Sequence, residues 1–237
     1  CVVLFNDTYS EFNYPEIGQA AFKILSQLGY RVIVEPWSCC GRPMLSKGLL
    51  KQAKNKAEAL IQQFLPHAKK GYPIIGLEPS CILTIYDDFP SIVSGEDSKT
   101  VSQACVTLDD FLHQHLEGGK LALNFKNKAA SIKVHGHCHQ KSLCGMASTM
   151  NVLNAIPGSN VEELNTGCCG LAGSFGYEKE HYEFSMQVAE DRLFPSLRNQ
   201  AEEHIIVANG LSCRSQISHG LKRKGLHLAE VIDSMIV

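Results

Sequence analysis

Paired cysteines are the residues of this sequence best suited to chemistry. The triplet Cys39-Cys40-Gly41 recurs as Cys168-Cys169-Gly170, and a single cysteine follows each triplet, as Cys81 and as Cys213. Clustered thiolates hold soft metal ions and iron–sulfur clusters, and neighbouring thiols also exchange disulfides. In a chain that is not a small secreted domain, such clusters indicate metal binding or catalysis more than a disulfide scaffold.

The second set of cysteines has four members. Cys138 precedes the second triplet, so Cys138, Cys168, Cys169 and Cys213 each follow a predicted strand. The carboxyl ends of parallel strands meet at one edge of a sheet, where ligands bind. We therefore predict that these four thiolates converge and hold an iron–sulfur cluster of the [4Fe–4S] type, which needs four cysteine ligands. Zinc is the alternative, because it also binds four thiolates.

The first set of cysteines has only three members. Asp7 stands where the second set has Cys138, so the donors would be one carboxylate and the thiolates of Cys39, Cys40 and Cys81. A carboxylate is a harder ligand than a thiolate and suits an iron–sulfur cluster less well. These residues are a secondary metal site in our interpretation. The sequence leaves open whether it holds no cluster, a labile cluster, or a structural or substrate-binding remnant.

Positive charges lie close to the motif cysteines. Arg42, Lys141 and Arg214 each follow one of these cysteines by one to three residues. A guanidinium matches the shape of a carboxylate, so we predict contacts with a hydroxy-acid substrate or with the charge of a cluster. An ion pair with a neighbour such as Glu78 is the alternative.

Three histidines surround Cys138. Alternation along an extended segment would place His135, His137 and His139 on the face opposite Cys138. Histidine combines with cysteine in zinc sites, and it also serves in turns or as a proton donor near a bound acid. Among the three, His137 is our candidate for a contact with substrate or with cluster charge.

The composition excludes several classes of protein. The chain has 237 residues and ten cysteines, with 44% apolar residues, 19% charged residues and a formal net charge of −2. That balance is typical of a folded globular chain and lacks the basic excess of nucleic-acid-binding proteins. No apolar run approaches the roughly 18 residues of a transmembrane helix, so we expect a cytoplasmic protein, with a peripheral place at the inner face of a membrane left open. Cys1 opens an apolar strand without an initiator Met, and we expect a fragment of a longer polypeptide.

Strands alternate with helices in both halves of the chain. The predicted strands are 1–5, 31–35, 72–77, 132–134, 161–164 and 204–208, and the predicted helices are 15–28, 49–65, 148–155 and 182–193. Pro66 and Pro195 are expected to end the second and fourth helices. This order predicts an α/β fold of two similar parallel-sheet lobes from an internal duplication, each with a Cys-Cys-Gly turn. The weaker pattern between residues 94 and 127 places the lobes at 1–122 and 123–237.

The double cysteine pattern resembles the cysteine-rich CCG domain family, over essentially the whole chain. That family includes the B subunit of heterodisulfide reductase, the glycolate oxidase iron–sulfur subunit and the C subunit of the anaerobic glycerol-3-phosphate dehydrogenase. The strings CCGRP, GLEPSC, HGHCHQK, CCGLAGSFGYE and GLSCR look closer still to one branch. That branch is the C-terminal iron–sulfur part of bacterial fusions with an FAD-linked oxidase, which act on D-2-hydroxy acids such as D-2-hydroxyglutarate.

The resemblance implies a cluster near the Cys-Cys-Gly motif, in some members a non-cubane cluster held by five cysteines. Full members carry a CxxC pair downstream, but Gly210 and Glu78 stand three residues before Cys213 and Cys81 here. The fifth ligand is therefore missing in both halves, which favours an ordinary four-thiolate cluster in the second. The resemblance also implies FAD in a flavin domain of the same polypeptide, and a quinone or an electron carrier as acceptor.

Three functional hypotheses follow. In the first, the chain is the electron-transfer domain of a flavin-dependent oxidoreductase. It passes electrons from the oxidation of a D-2-hydroxy acid to an acceptor, without itself carrying out the substrate chemistry. In the second, it is a zinc-binding structural or interaction module. In the third, the vicinal cysteines exchange disulfides, which would leave Cys138 and Cys213 without a role.

Overall fold

The chain folds into two compact units, Cys1–Gln114 and His115–Val237, which we call lobe one and lobe two. The structure is a computed structural model, and it describes residues 1–116, 118–119, 121–126 and 128–237. The sequence placed its division after residue 122, in the same connecting stretch.

Lobe one is built on a four-stranded sheet in which every neighbouring pair is parallel. Its strands are β1 (Val2–Leu4), β2 (Val32–Val34), β3 (Ile74–Gly76) and β4 (Cys105–Thr107), in the order β2-β1-β3-β4. Its helices are α1 (Thr8–Phe12), α2 (Pro15–Gln27), α3 (Arg42–Ser46), α4 (Leu50–Ala68), α5 (Pro79–Leu83), α6 (Phe89–Ile92), α7 (Glu96–Ala104) and α8 (Leu108–His113). A π-helical turn at Thr84–Asp88 joins α5 to α6.

Lobe two repeats this plan. Its strands are β5 (Ala130–Val134), β6 (Ser159–Glu163), β7 (Ile205–Val207) and β8 (Gly225–Leu226), all parallel and in the order β6-β5-β7-β8. Its helices are α9 (Cys138–Leu143), α10 (Ala147–Asn154), α11 (Tyr182–Asp191), α12 (Leu193–Arg198), α13 (Leu211–Leu221) and α14 (Leu228–Met235), with 3₁₀ turns at Phe175–Tyr177 and Lys179–His181. The two sheets share one strand order, which confirms the predicted α/β fold of two similar parallel-sheet lobes.

Burial of apolar helix faces holds each sheet in place. In α2, the residues of one stripe are buried while their neighbours face solvent, and this stripe is Ile17, Ala20, Ala21, Ile24 and Leu25. Each large aliphatic side chain buried in this way contributes about 1.5–3 kcal/mol. In lobe one, Phe5 at the end of β1 packs edge-to-face on Phe64 of α4 with ring centroids 5.4 Å apart.

The last strand of each lobe leads directly into a capped helix. Thr107 caps α8 by accepting a hydrogen bond from the Asp110 amide, and His227 caps α14 by accepting one from the Ala229 amide. Glu230 completes a capping box, because its carboxylate accepts from the His227 amide at 2.8 Å. These caps satisfy amides that the first helical turn leaves without partners. The β4–α8 and β8–α14 units are thus counterparts in the two lobes.

Several elements differ from the sequence prediction. Pro66 lies inside the last turn of α4, so it does not end that helix where expected. The fourth predicted helix ends before Pro195, at Asp191, and Pro195 itself lies in the next helix, α12. The predicted buried strand at Val32–Val34 lies at the edge of its sheet and is only partly buried, because it has a strand neighbour on one side alone. Helix α7 and strand β4 fall in the stretch whose pattern was too polar and too short to predict.

None of the helices in the described part of the chain combines the length and the apolar character that crossing a membrane requires.

Candidate metal centre

The four cysteines of lobe two lie at the carboxyl edge of its sheet. Cys138 begins α9 after β5, Cys168 and Cys169 lie in the turn after β6, and Cys213 lies in the first turn of α13 after β7. Strand β5 pairs with β6 on one side and β7 on the other, so the strands that follow it along the chain are added on opposite sides of β5. Such switch points are where open parallel sheets bind ligands.

The thiol groups of these residues form one continuous series of contacts. Cys138 is in hydrogen-bond contact with Cys168, Cys168 with Cys169, and Cys169 with Cys213. All four are free cysteines rather than disulfide partners. The structure therefore brings together the four residues that the sequence singled out, although they come from three separate turns.

The series runs from the core to the surface. Cys169 and Cys213 are buried in the apolar core of lobe two, Cys168 is half-buried, and Cys138 is exposed. A group held by all four would have one side in a low-dielectric interior and the other close to solvent. Burial and exposure of this kind both set the reduction potential of a metal cluster.

Hydrogen bonding lowers the pKa of two of the four thiols and raises the pKa of the other two. The hydrogen bond to Cys168 raises the pKa of the Cys138 thiol, and contacts with Cys168 and Cys213 raise the pKa of Cys169. Hydrogen bonds from Cys138 and Cys169 lower the pKa of Cys168, and the hydrogen bond from Cys169, together with the charge of His135, lowers that of Cys213. The site is thus prepared to carry negative charge, which thiolate ligation of a metal requires.

Packing beneath the Cys-Cys-Gly turn explains its glycine. Gly170 has φ +92°, and its amide donates to the Cys168 sulfur at 3.3 Å. A Cβ at this position would lie 2.2 Å from the Ser185 carbonyl oxygen of α11. The same serine accepts hydrogen bonds from the Gln216 amide group of α13 at 3.1 and 3.3 Å. Because glycine alone fits both the conformation and the space, α11 and α13 can hold the cysteine turn tightly.

The histidines do not follow the predicted alternation. The extended segment ends at His137, and Cys138 already begins a helix, so the side chains of His135 and His137 share the cysteine edge instead of turning away from it. His135 is buried, and His135 and His137 both act on the charge of Cys213. His137 also packs on Gly210, where a Cβ would meet its ring at 2.3 Å. The sequence named His135 among three histidines near Cys138 but did not single it out, although its place directly after a buried strand was a usable signal.

The three predicted cations have different surroundings. The charge of Lys141 opposes the rise in the pKa of Cys138 that the hydrogen bond to Cys168 and burial cause, so Lys141 lies beside the exposed end of the cysteine series. Arg214 is buried, and its Nη1 donates to the carbonyls of Ala208 and Asn209 after β7. Arg42 belongs to lobe one and pairs with Asp88 at 3.1 Å. Lys141 is therefore the cation of this set that acts on a thiol of lobe two.

The lobe-one cysteines make a shorter series of contacts. Cys39 contacts Cys40, and Cys40 contacts Cys81. Asp7, which replaces the fourth cysteine, is the N-cap of α1: its Oδ1 accepts from the Tyr9 amide at 2.8 Å, and its Oδ2 accepts from the Ser10 hydroxyl at 2.9 Å. Both carboxylate oxygens are thus engaged with the helix. The duplicated position has become a helix cap in this lobe.

Electrostatics also separates the two lobes. Burial, followed by the charge of nearby Glu78, raises the pKa of Asp7 to about 6. The hydrogen bond from Cys40 lowers the pKa of Cys81. Burial and the charges of Asp7 and Glu78 outweigh that effect and raise this pKa to about 11. The hydrogen bond to Cys40 and then burial raise the pKa of Cys39. The contact with Cys39 lowers the pKa of Cys40, but the contact with Cys81 and burial outweigh it and raise that pKa. The pKa values of the three lobe-one thiols are therefore all raised, beside carboxyls, whereas two of the four lobe-two thiols, Cys168 and Cys213, have lowered pKa values.

The donor set of lobe two fits an iron–sulfur cluster better than a single ion. Zinc binds sulfur at about 2.3 Å in a tetrahedron, which places its four sulfurs about 3.8 Å from one another. In the described part of the chain, no group of three or more histidine, cysteine, aspartate or glutamate ligand atoms within 4.8 Å of one another includes a cysteine. The sulfurs thus contact their neighbours in series without closing around one point. Four cysteine thiolates are also the ligand set of a [4Fe–4S] cluster, which is larger than a single ion.

Comparison with known proteins agrees with the duplicated architecture. The family described as Cysteine-rich domain (CCG) matches the chain twice, over residues 3–86 and 132–218. Each match contains one sheet edge with its Cys-Cys-Gly turn and the single cysteine that follows. The two matches together cover most of the chain.

Individual relatives include a dehydrogenase subunit, a dehydrogenase and a protein of about the same length as this chain. The chain is 26% identical to the C subunit of the anaerobic glycerol-3-phosphate dehydrogenase from Escherichia coli K12, over 91% of this chain and 54% of that protein. It is 27% identical to the D-2-hydroxyglutarate dehydrogenase of Haemophilus influenzae, over 90% of this chain and 21% of that protein. It is 27% identical to lactate utilization protein A 1 of Bacillus mycoides, over 98% and 96%. The chain therefore spans about half of the first relative and about a fifth of the second.

Proposed function

This chain belongs to the cysteine-rich domain family, CCG, and from that membership we propose that lobe two binds an iron–sulfur cluster through Cys138, Cys168, Cys169 and Cys213. The observation that carries the proposal is the unbroken series of contacts among these four thiol groups at one sheet edge. Four cysteine thiolates are the ligand set of a [4Fe–4S] cluster, which is the type we propose. When bound, such a cluster supplies a site that accepts and releases single electrons.

The residues of lobe two support an electron-transfer role. Cys169 and Cys213 anchor the site in the apolar core, where water is excluded, and Cys138 reaches the surface. Electrons would therefore enter or leave at the Cys138 side, next to the positive charge of Lys141. Two of the three relatives described above are named as dehydrogenases or as a part of one, so an oxidoreductase context agrees with this role.

Lobe one has no comparable role in this proposal. A cluster with four thiolate ligands carries net negative charge, and the carboxyls of Asp7 and Glu78 beside Cys81 disfavour an added anion. The Asp7 carboxylate would also have to give up its hydrogen bonds to α1 in order to bind iron. We therefore assign Cys39, Cys40 and Cys81 to packing of lobe one.

Metal analysis tests the cluster directly. We expect the anaerobically purified and reconstituted protein to contain about four iron and about four acid-labile sulfide per chain, with a visible absorption band that dithionite bleaches. Iron, zinc and sulfide would be measured on the same sample. About one zinc and no sulfide after reconstitution would contradict the proposal and leave a zinc-binding structural module in its place.

We further propose that the electrons come from the oxidation of a D-2-hydroxy acid by an FAD-containing flavin domain of the same polypeptide, and pass to a quinone or another electron carrier. The matched part of the D-2-hydroxyglutarate dehydrogenase is about a fifth of that protein, which leaves room there for further domains. The relative named for lactate utilization, whose name also refers to a 2-hydroxy acid, agrees with this class of substrate.

Anaerobic reduction by substrate tests this assignment. In the full-length polypeptide that contains this chain, we expect D-2-hydroxyglutarate or D-lactate to reduce the cluster within minutes, as seen by loss of visible absorption and a change in the electron paramagnetic resonance signal. The L-enantiomers are the matched controls and should reduce the cluster at least tenfold more slowly. A tenfold difference in rate corresponds to about 1.4 kcal/mol of activation free energy. A substrate site with fixed contacts to one enantiomer loses at least that much with the other. Reduction by glycerol 3-phosphate alone would contradict the substrate class while leaving the cluster intact.

A further inference from the structure

His135 lies at the inner side of the four cysteines of lobe two. It follows β5 directly, its amide donates to the Val207 carbonyl at 2.8 Å, and its side chain is only 1% exposed. Neither the cysteine motif nor the comparisons give this residue a role. A buried imidazole needs partners for both ring nitrogens, because an unpaired polar group in the interior is costly.

One ring nitrogen has its partner in the same turn as the paired cysteines. His135 Nδ1 makes a short hydrogen bond with Thr166 Oγ1, and this hydroxyl lies 3.4 Å from the Leu164 carbonyl. The Thr166 hydroxyl donates to that carbonyl, and its oxygen holds Nδ1. Thr166 thus fixes the ring orientation and leaves Nε2 as the other ring nitrogen.

The other ring nitrogen points to the cysteines. In the part of the chain that the structure describes, Nε2 is buried and has no hydrogen-bond partner. The His135 side chain lies beside Cys213, and because Thr166 holds Nδ1, Nε2 is the ring nitrogen left to face that sulfur. A donor that is buried, oriented and without a nitrogen or oxygen acceptor is suited to a sulfur that carries negative charge.

On the basis of the proposed cluster, we propose that His135 donates a hydrogen bond from Nε2 to the sulfur of Cys213 and thereby raises the reduction potential of the cluster. The sulfur of a reduced cluster carries more negative charge and accepts a hydrogen bond more strongly, so the bond stabilises the reduced form more than the oxidised form. His135 is a positioning residue in this role, because it acts on the cluster through Cys213. Thr166 acts one step further away, by holding the ring.

Redox titration of matched variants tests this role. The variants His135→Leu and His135→Gln would be prepared in the full chain, reconstituted anaerobically and analysed for iron before titration. We expect both to bind as much iron as the unsubstituted protein. The leucine variant removes the donor and should shift the reduction equilibrium about tenfold toward the oxidised cluster, or about 59 mV for one electron. Glutamine keeps an N–H donor and should restore at least half of that shift.

Thr166→Val provides a second variant that leaves the imidazole in place. It removes the hydroxyl that orients the ring, so we expect a smaller shift in the same direction as that of His135→Leu. An unchanged potential in His135→Leu, or a leucine variant that binds less iron than the glutamine variant, would overturn the role of hydrogen-bond donor.

Pulsed electron paramagnetic resonance of the unsubstituted protein, labelled with ¹⁵N-histidine, gives a readout that does not depend on any variant. Weak coupling to one nitrogen supports a hydrogen bond to a ligand sulfur, and strong coupling of a nitrogen bound to iron overturns it. A reconstituted protein without iron and sulfide would overturn the proposed function together with this inference. Full iron content with no nitrogen coupling would overturn the inference alone.

Discussion

Replacement of Cys169 with alanine is expected to remove the iron–sulfur cluster from the protein. Cys169 contacts both Cys168 and Cys213, so its sulfur links the exposed half of the series to the buried half. Loss of one of four ligands leaves an iron atom open to water and oxidant. We expect iron and sulfide per chain to fall at least fivefold in anaerobically reconstituted protein, together with the visible absorption band and the electron paramagnetic resonance signal of the reduced form.

Cys40→Ala is the matched control for this variant. Cys40 occupies the same place in the Cys-Cys-Gly turn of lobe one, and both residues are buried in the apolar core of their lobe. Removing either sulfur leaves a small cavity that costs about 1–2 kcal/mol of stability. The control should therefore match Cys169→Ala in the loss of stability of the metal-free protein while retaining full iron and sulfide. Equal loss of iron from both variants, or from neither, would contradict the assignment of the cluster to lobe two.

The repeat of the cysteine motif made much of the fold predictable. Two Cys-Cys-Gly triplets at nearly the same distance from similar apolar strands indicated duplicated parallel sheets, and the strands Ile74–Gly76 and Ile205–Val207 are the inner strands β3 and β7. Inner strands are recognisable because they are apolar on both faces. Strand β4, whose sequence is Cys-Val-Thr, lies at an edge and follows a polar helix. Its three residues have too little periodicity to be told from a loop.

Proline positions show the limit of local rules. Pro66 does not end α4, because it lies in the last turn of that helix, which runs to Ala68. A proline there removes one backbone hydrogen-bond donor close to the helix end, where the loss is tolerated. Pro195 lies in the first turn of α12, where a proline leaves no hydrogen bond unmade. The expectation that Pro66 would end its helix was therefore wrong, whereas the helix predicted to end near Pro195 does end before it, at Asp191. Position within the helical turn decides what a proline does.

The convergence of the four cysteines of lobe two was predictable from the sequence, and the surroundings of these cysteines were not. Each of the four cysteines follows a predicted strand, and parallel topology places the turns after all strands at the same edge of the sheet. This was enough to expect that Cys138 would lie close to Cys168, Cys169 and Cys213. The roles of His135 and Asp7 depend on side-chain direction and on hydrogen bonds, which spacing does not contain. His135 turns inward because the strand ends before Cys138, and Asp7 caps α1 through both of its oxygens. Such contacts arise from tertiary packing.

Replacement of Gly170 with alanine is expected to destabilise lobe two by about 3–5 kcal/mol. The backbone at Gly170 has φ +92°, a conformation that alanine rarely adopts, and the added Cβ would lie 2.2 Å from the Ser185 carbonyl oxygen. Because that atom belongs to the backbone of α11, the contact is relieved only if the helix moves. Urea denaturation of the metal-free protein, followed by far-ultraviolet circular dichroism, measures the loss.

Gly145→Ala separates backbone strain from this close contact. Gly145 also lies in lobe two and has φ +76°, but nothing lies within 4 Å of the position that its Cβ would take. Its replacement should therefore cost only the strain of a left-handed alanine, about 1–2 kcal/mol. The difference between the two variants reports the contact between the cysteine turn and Ser185 of α11. If the two variants lose the same stability, the packing of α11 against Gly170 does not hold the turn, and the fixed geometry that we attribute to Cys168 and Cys169 has another source.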